Sequence, residues 1–466
     1  MSTQSPNILL IHSDQHRYDC LGGNGHSLLK TPNIDALAAD GIRFINAYCP
    51  SPICVPERNC LLHGQWATEH LCITNYDSEA PRPPSESLPT FSRALREAGY
   101  YLGYVGKWHV RRDKGPLDSQ YGFHEFVADG SPYAEWRESR GLPPVPHSNG
   151  WFGELDPYIL PTHSQLAWGA DHAIKMIERG VEIGKPFFVR WDPTEPHLPN
   201  VVPEPYYSMY PPQDIPPWPS FPDNLSGKPY IQAQQRRTWR VDHLTWDDWS
   251  KVVSRYLGVV SLLDAQVGRL LNALKWLEVA DNTLVIYTTD HGDLCGGHGM
   301  IDKMNIMYDD VVRVPLVMRW PGRIAPGSSC DAFVSHSIDL ASTFCGVADV
   351  PIPDTFRGES LLPLMCGSQD NNRQDIFSTF HGNQFGLYSQ RMVRDRRMKY
   401  IWNLTAEDEL YNLVQDPGEL QNLATDPKYS GELQRLRHRM IAWLEETNDP
   451  LLNQWTRPQL LEGLKV

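Results

Sequence analysis

Cys54, Pro56 and Arg58 fall in one short stretch, CVPERNCLLHG, which carries neither an alternating strand pattern nor a long helical one. A thiol beside a guanidinium can be packing, a metal ligand or a nucleophile, and a free cysteine is most often buried and inert. Other reactive residues recur at the ends of apolar runs. Residues 7–12 lead into Ser13-Asp14-Gln15, and residues 283–288 into Thr289-Asp290-His291. Two carboxylates, an amide and an imidazole form a hard oxygen set with one nitrogen, which suits Ca²⁺ and leaves Mn²⁺ open. Alone, each aspartate reads equally well as a loop or helix cap. Residues 101–105 lead into Gly106-Lys107-Trp108-His109. In extended chain Lys107 and His109 share a side, where a cation and an imidazole grip an anion and move a proton. Residues 186–191 are followed by Pro196-His197-Leu198-Pro199, a histidine with little backbone freedom. Lys303, shortly after His298-Gly299, adds another cation.

The runs preceding these residues, together with 315–320, read as short buried parallel strands. Helical periodicity fills 32–39, 88–98, 163–179 and 249–277. The alternation predicts an α/β fold, a mostly parallel sheet sandwiched by helices. Ligands of such sheets bind beyond the carboxyl ends of the strands, so the reactive residues are expected to converge on one edge. Residues 193–229, dense in proline and aromatics, read as a long ordered excursion shaping a pocket mouth. Residues 391–404 and 409–413 read as antiparallel strands and 431–446 as an amphipathic helix. The expected division is a catalytic domain over 1–370 and a C-terminal α+β subdomain over 371–466.

The composition, 466 residues with 41% hydrophobic and 11% aromatic, supplies a large core. A net charge of -14 argues against a nucleic-acid partner but not against a small anionic substrate, because local cations override the global field. The N-terminus lacks a basic region and its apolar run, 8–11, is short for a signal peptide. No apolar stretch approaches bilayer length, so no membrane partner and a cytoplasmic location are expected. Nine cysteines without paired spacing suit reduced thiols. The oligomeric state, a homo-oligomer included, stays open.

Cys54-Val55-Pro56-Glu57-Arg58, followed by Leu61, Leu62 and Gly64, resembles the type I sulfatase signature, whose core is Cys-x-Pro-x-Arg. The segments PNILLIHSDQ, TPNIDALAADGIRFINAYC, GYVGKWHV, HGMIDKMNIMYDDVVRVPLVMRWPG and ELYNLVQDPGELQNLA are similar to further patterns of that family, so the resemblance spans nearly the whole chain. It implies an alkaline-phosphatase-like fold and hydrolysis of sulfate esters. It implies that a maturase, binding transiently, converts Cys54 to formylglycine (3-oxoalanine), whose hydrate supplies a nucleophilic hydroxyl. The second hydroxyl lets the covalent sulfate ester collapse to an aldehyde. The resemblance further assigns one divalent ion, Ca²⁺ before Mn²⁺, to Asp14, Gln15, Asp290, His291 and residue 54, and catalytic roles to Cys54, Arg58, Lys107, His109, His197 and Lys303. Asp290 would accept the nucleophile's proton, Lys107 and Lys303 hold the anionic oxygens, His197 protonate the leaving oxygen and His109 deprotonate the second hydroxyl.

Three positions depart from the commonest family pattern. Glu57 stands where a small residue is usual, Gln15 where many members have Asp, and His291 where many have Asn. The Gln and His variants are similar to those of phosphonate monoester hydrolases and of several bacterial sulfatases. A phosphonate or phosphodiester substrate on the same site therefore stays an alternative. A non-catalytic binding protein fits poorly with an intact residue set, and an alkaline-phosphatase-like reading with Ser51 as nucleophile lacks matching context. The alcohol carried by the ester is not legible; candidate contacts are the region around Trp218 and residues 381–388.

Overall fold

Strand β1 (Asn7–Ser13) is buried at every residue. Its even and odd side chains serve two separate cores: Ile8 and Leu10 pack on one face of the sheet, Leu9 and Ile11 on the other. The computed structural model describes residues 5–76, 82–368, 373–382, 384–463 and 465. Along the chain follow β2 (Ile42–Tyr48), β3 (Tyr101–Gly106), β4 (Glu125–Val127), β5 (Glu154–Leu155), β6 (Phe187–Asp192), β7 (Val201–Val202), β8 (Thr283–Thr289), β9 (Leu316–Arg319) and β10 (Ser328–Ser335). Eight of these form one sheet in the order β10-β2-β9-β8-β1-β6-β3-β4, while β5 and β7 pair separately. The Leu9 face is covered by the helices Pro32–Ala39, Gln165–Glu182 and Trp246–Trp276. The Ile8 face is covered by Cys54–His63, Phe91–Glu97 and His336–Val347.

Two sequence expectations change here. Residues 315–320, read as a parallel strand, contribute β9, which is antiparallel to both β2 and β8. A strand buried on both faces has the same apolar run in either direction, so its polarity is not written in the pattern. CVPERNCLLH, which shows no helical pattern, is a ten-residue helix. Every residue from Cys54 to His63 is buried, so the helix has no solvent face to create a periodicity. Pro56 sits in its first turn, where a missing N–H costs nothing.

The helix Trp246–Trp276, 31 residues, is long and apolar enough to cross a bilayer by length and composition, contrary to the expectation that no stretch approaches that length. It is a core helix, with 78% of its apolar window buried inside the fold. The C-terminal part is an antiparallel meander of β11 (Ile376–Gly382), β12 (Tyr388–Arg394), β13 (Met398–Asn403) and β14 (Glu409–Asn412). The helix Ser430–Glu446 packs on it through Leu436, Met440 and Leu444. Residues 391–404 thus form parts of two strands joined by a turn. The expected boundary between 370 and 371 lies outside the described residues. The meander grips the segment before Cys54: the Thr379 N–H donates to the Pro50 carbonyl (2.8 Å) and the Ser378 hydroxyl to that of Cys49 (3.0 Å). All nine cysteines are unpaired.

Candidate active site

Strand register brings the reactive residues together. Ser13 of β1 lies opposite Thr289 of β8, so Asp14 and Asp290 leave the sheet side by side. Gly106 of β3 lies opposite Asp192 of β6, and the Lys107 N–H donates to the Asp192 carbonyl at 2.9 Å. Gly106 has φ +108°, and a Cβ there would stand 2.0 Å from that carbonyl oxygen; only glycine allows the turn that sends Lys107 inward. Lys107 and His109 therefore reach the site through a turn, with His109 at φ +42°, and not through the extended alternation the sequence suggested. Cys54 is the first residue of its helix, where free N–H groups favour an anion. The Val55 N–H is satisfied by the Asn75 side-chain oxygen at 2.9 Å.

Around Cys54 the contacts are close. Its Sγ lies 3.3 Å from His291 Nε2 and 3.7 Å from Lys107 Nζ. Burial would raise the thiol's pKa, but Lys107, Lys303, His291 and His109 together hold it well below the usual range. A residue at this position is thus held in a field that stabilises negative charge.

Arg58, fully buried, links the acidic residues. Its Nη1 donates to Asp192 Oδ2 (2.7 Å) and the Lys107 carbonyl (2.9 Å); its Nη2 donates to Asp14 Oδ2 (2.9 Å) and Asp290 Oδ2 (3.2 Å). Lys107 Nζ lies 2.6 Å from Asp14 Oδ2. Burial and Cys54 push the Asp14 carboxyl upward, yet Lys107, His197 and Arg58 win and hold it well below the usual carboxylate range. On the far side, Lys303 Nζ donates to Gln15 Oε1 (2.5 Å) and to His197 Nε2 (2.9 Å), and His197 Nδ1 donates to the Leu198 carbonyl (2.6 Å).

One ligand atom from each of Asp14, Cys54, Asp290 and His291 lies within 4.8 Å of the others. Asp14 Oδ1 is buried without a hydrogen-bond partner among the described residues. His291 Nδ1 donates to the Gly292 carbonyl at 3.0 Å, which leaves Nε2 free to ligate. Burial opposes protonation of His291, but Asp290 and Cys54 pull its pKa up to about 9, so the cluster attracts positive charge. Gln15 adjoins the cluster through its backbone N–H, bonded to Asp290 Oδ1 at 3.0 Å. Its side chain is engaged with Asp293 (2.7 Å) and Lys303, although an amide oxygen keeps a second lone pair.

Sequence reasoning missed the layer below. Asp192 joins Arg58 to Arg190 (2.6 Å), His12 (3.2 Å) and the Tyr104 hydroxyl (3.0 Å). Glu57, fully buried, accepts from the Ser337 hydroxyl and lies 3.3 Å from His336 and 3.8 Å from His12. The available signal was Arg190 and Asp192 on one face of the otherwise apolar FFVRWD, a charge pair that a buried strand keeps only when it has partners. Trp218, at the centre of a region read as a candidate substrate contact, is itself a core residue: its Nε1 donates to the Cys295 carbonyl (2.8 Å) and Arg17 stacks on its ring. Within 381–388, His381 is occupied by Ser389 and Arg391, and residue 383 lies outside the described residues.

The sulfatase family model matches residues 6–350, and the model described as N-sulphoglucosamine sulphohydrolase, C-terminal, matches residues 296–446. The chain is 28% identical over 469 residues to the uncharacterized sulfatase YidJ of Escherichia coli, covering 97% of this chain and 90% of the relative. It is 29% identical over 475 residues to an arylsulfatase of Clostridium perfringens, covering 94% of each. The crystal structure of a phosphonate monoester hydrolase of Agrobacterium radiobacter superposes with a TM-score of 0.81 at 27% identity, over 95% of this chain and 96% of that one. With a family model over most of the chain and a fold that superposes over nearly its whole length, the chain belongs to the sulfatase family and is a hydrolase of sulfate esters on an alkaline-phosphatase-like fold.

Proposed function

We propose that this hydrolase works through a formylglycine made from Cys54, by way of a sulfate ester covalently held on residue 54, and with one divalent ion beside it. The observation that carries this reading is the setting of Cys54: at a helix N-terminus, 3.3 Å from His291 and 3.7 Å from Lys107, inside a four-residue donor cluster. A structural thiol needs no such cations.

The donor set fits a hard divalent cation. Asp14, Asp290, His291 and residue 54 would hold it, with Gln15 contributing its amide oxygen; oxygen donors favour Ca²⁺, and the imidazole admits Mn²⁺. When bound, the ion lowers the pKa of the residue-54 hydroxyl and draws in the anionic ester. The chain's own groups do the rest. Lys107 and Lys303 hold the anionic oxygens. Asp290 takes the proton of the attacking hydroxyl as its oxygen bonds to sulfur. The bond from sulfur to the alcohol oxygen breaks, and His197, protonated at Nε2 once Lys303 turns to the ester oxygens, gives that oxygen a proton. His109 then takes the proton of the second hydroxyl, the carbonyl reforms, and the carbon–oxygen bond to sulfate breaks. Arg58 holds Asp14 and Asp290 in place throughout.

The test is peptide mass spectrometry of protein made with a maturase, paired with p-nitrophenyl sulfate turnover. Residue 54 should lose sulfur and gain oxygen in step with activity; full activity from unmodified Cys54 would remove the mechanism. A second reading, phosphonate monoester hydrolysis, is favoured by Gln15 and His291 and by the likeness to the Agrobacterium radiobacter enzyme. A higher kcat/KM on p-nitrophenyl phenylphosphonate than on p-nitrophenyl sulfate would select it.

A further inference from the structure

Beside the anion site lies a cavity of about 360 Å³ lined in part by Thr194, Glu195 and His197. Those three residues belong to one loop, and that loop is tied to the site itself: the Asp14 N–H meets the Glu195 carbonyl at 3.4 Å. One side of the cavity is aliphatic, from Leu166, Leu198, Val201 and Leu262 among others, and the rest of its wall is polar or aromatic. Its polar groups are unequal. Arg137 is spent, donating to Asp156 at 2.7 Å and to the carbonyls of Pro143 and Pro144. Among the described residues Glu195 has no counterion: its Oε2 is buried without a hydrogen-bond partner, and its Oε1 receives one long bond, 3.4 Å, from Gln165 Nε2. The next acid inward, Asp129, accepts from the Thr194 hydroxyl. A buried carboxylate oxygen left unpaired costs stability unless a proton or a cation completes it; burial, with Asp129 and Asp14 adding to it, pushes this carboxyl up to about 7, so near neutrality a cation competes with the proton for it.

We propose that this cavity receives the alcohol portion of the ester, and that Glu195 selects alcohols with an apolar body ending in a protonated amine. The inference rests on His197 acting as the acid that meets the leaving oxygen, as the proposed function has it. An alcohol oxygen at His197 must carry its carbon chain past the same loop. His197 and Glu195 line the same cavity from one loop, so a flexible aminoalkyl chain can run from the one toward the other, and the four-carbon chain serves as the probe. The aliphatic walls take the methylenes, and the carboxylate gains a charge-assisted hydrogen bond.

The experiment uses protein with residue 54 converted. The kcat/KM for 4-aminobutyl sulfate is divided by that for pentyl sulfate, in the parent protein and in Glu195→Gln; comparing the two ratios cancels the esters' intrinsic reactivity. The ratio is expected to fall about tenfold to a hundredfold in Glu195→Gln, the worth of one hydrogen bond to a charged group. A ratio that does not change overturns the proposal, as does glucose 6-sulfate outperforming the amine ester in the parent protein. A second measurement does not depend on the variant or on turnover: 4-aminobutan-1-ol should raise the melting temperature of the parent protein at concentrations where pentan-1-ol does not. Equal effects of the two alcohols refute the subsite. If phosphonates are cleaved and no sulfate ester is, the proposed function fails while the amine preference is still decided by the melting data.

Discussion

Arg58→Lys isolates geometry from charge. The guanidinium serves two sides at once: Nη1 reaches Asp192 and the Lys107 carbonyl, Nη2 reaches Asp14 and Asp290, all between 2.7 and 3.2 Å. An ammonium is a single point and cannot bridge them. Placed toward Asp14 and Asp290, it abandons Asp192 and the carbonyl. Asp192 keeps Arg190 and His12, so it is not stranded. The loss is then one charge-assisted bond to a carboxylate and one to a carbonyl, about 3 kcal/mol together. Arg58→Met leaves three buried carboxylates short of a cation and should cost more, in the range of about 3–5 kcal/mol for a broken buried pair. Urea unfolding of the unmodified protein reads both, with a lowered midpoint and an unchanged slope. Calcium titration reads the second consequence, because Asp14 and Asp290 lose the group that aligns them. An Arg58→Lys protein within about 0.5 kcal/mol of the parent, binding metal equally well, would show that the guanidinium fork does not organise the site.

His197→Ala should slow esters of poor leaving groups far more than p-nitrophenyl sulfate, whose phenolate hardly needs a proton. His109→Ala should trap a sulfate adduct on residue 54, seen as added mass after brief exposure to substrate. Uniform losses without an adduct would refute this division of labour. Chelation should lower the melting temperature reversibly and abolish turnover, and Asp290→Ala should lose metal and activity together; two equivalents of zinc by elemental analysis would contradict the single-ion site. Burial pushes Glu57 up to about 7, with Asp290 adding to it and His12 and Ser337 only partly offsetting it. The folded carboxyl keeps a proton that the unfolded chain releases above about 4.5, so this group makes stability fall as pH rises toward 7. Glu57→Gln should flatten that fall, measured as urea midpoints at about pH 5 and about pH 7; an unchanged slope would mean that Glu57 is ionised throughout.

Much of the candidate site was legible in the sequence because Asp14, Lys107, His197 and Asp290 each come after a buried strand, and parallel strands present such ends on one edge. The apolar run of β1 predicts a strand, the strand predicts an end, and the end is Asp14; the same holds for Asp290 after β8 and for Lys107 after β3. The Cys-x-Pro-x-Arg core added the chemistry. Periodicity could not show the direction of β9, buried on both faces, or the helix of Cys54, buried all round. The partners of Glu57 and Asp192 were equally hidden. His12 and Ser337 lie far from them in sequence, and only Arg190 and Asp192 on one face of β6 mark a paired buried charge locally. A sequence states which groups exist and, by its periods, which way each faces within its own element. Which opposite charges meet is decided when register and packing exclude water between them, and only then does a carboxylate beside an arginine become a site.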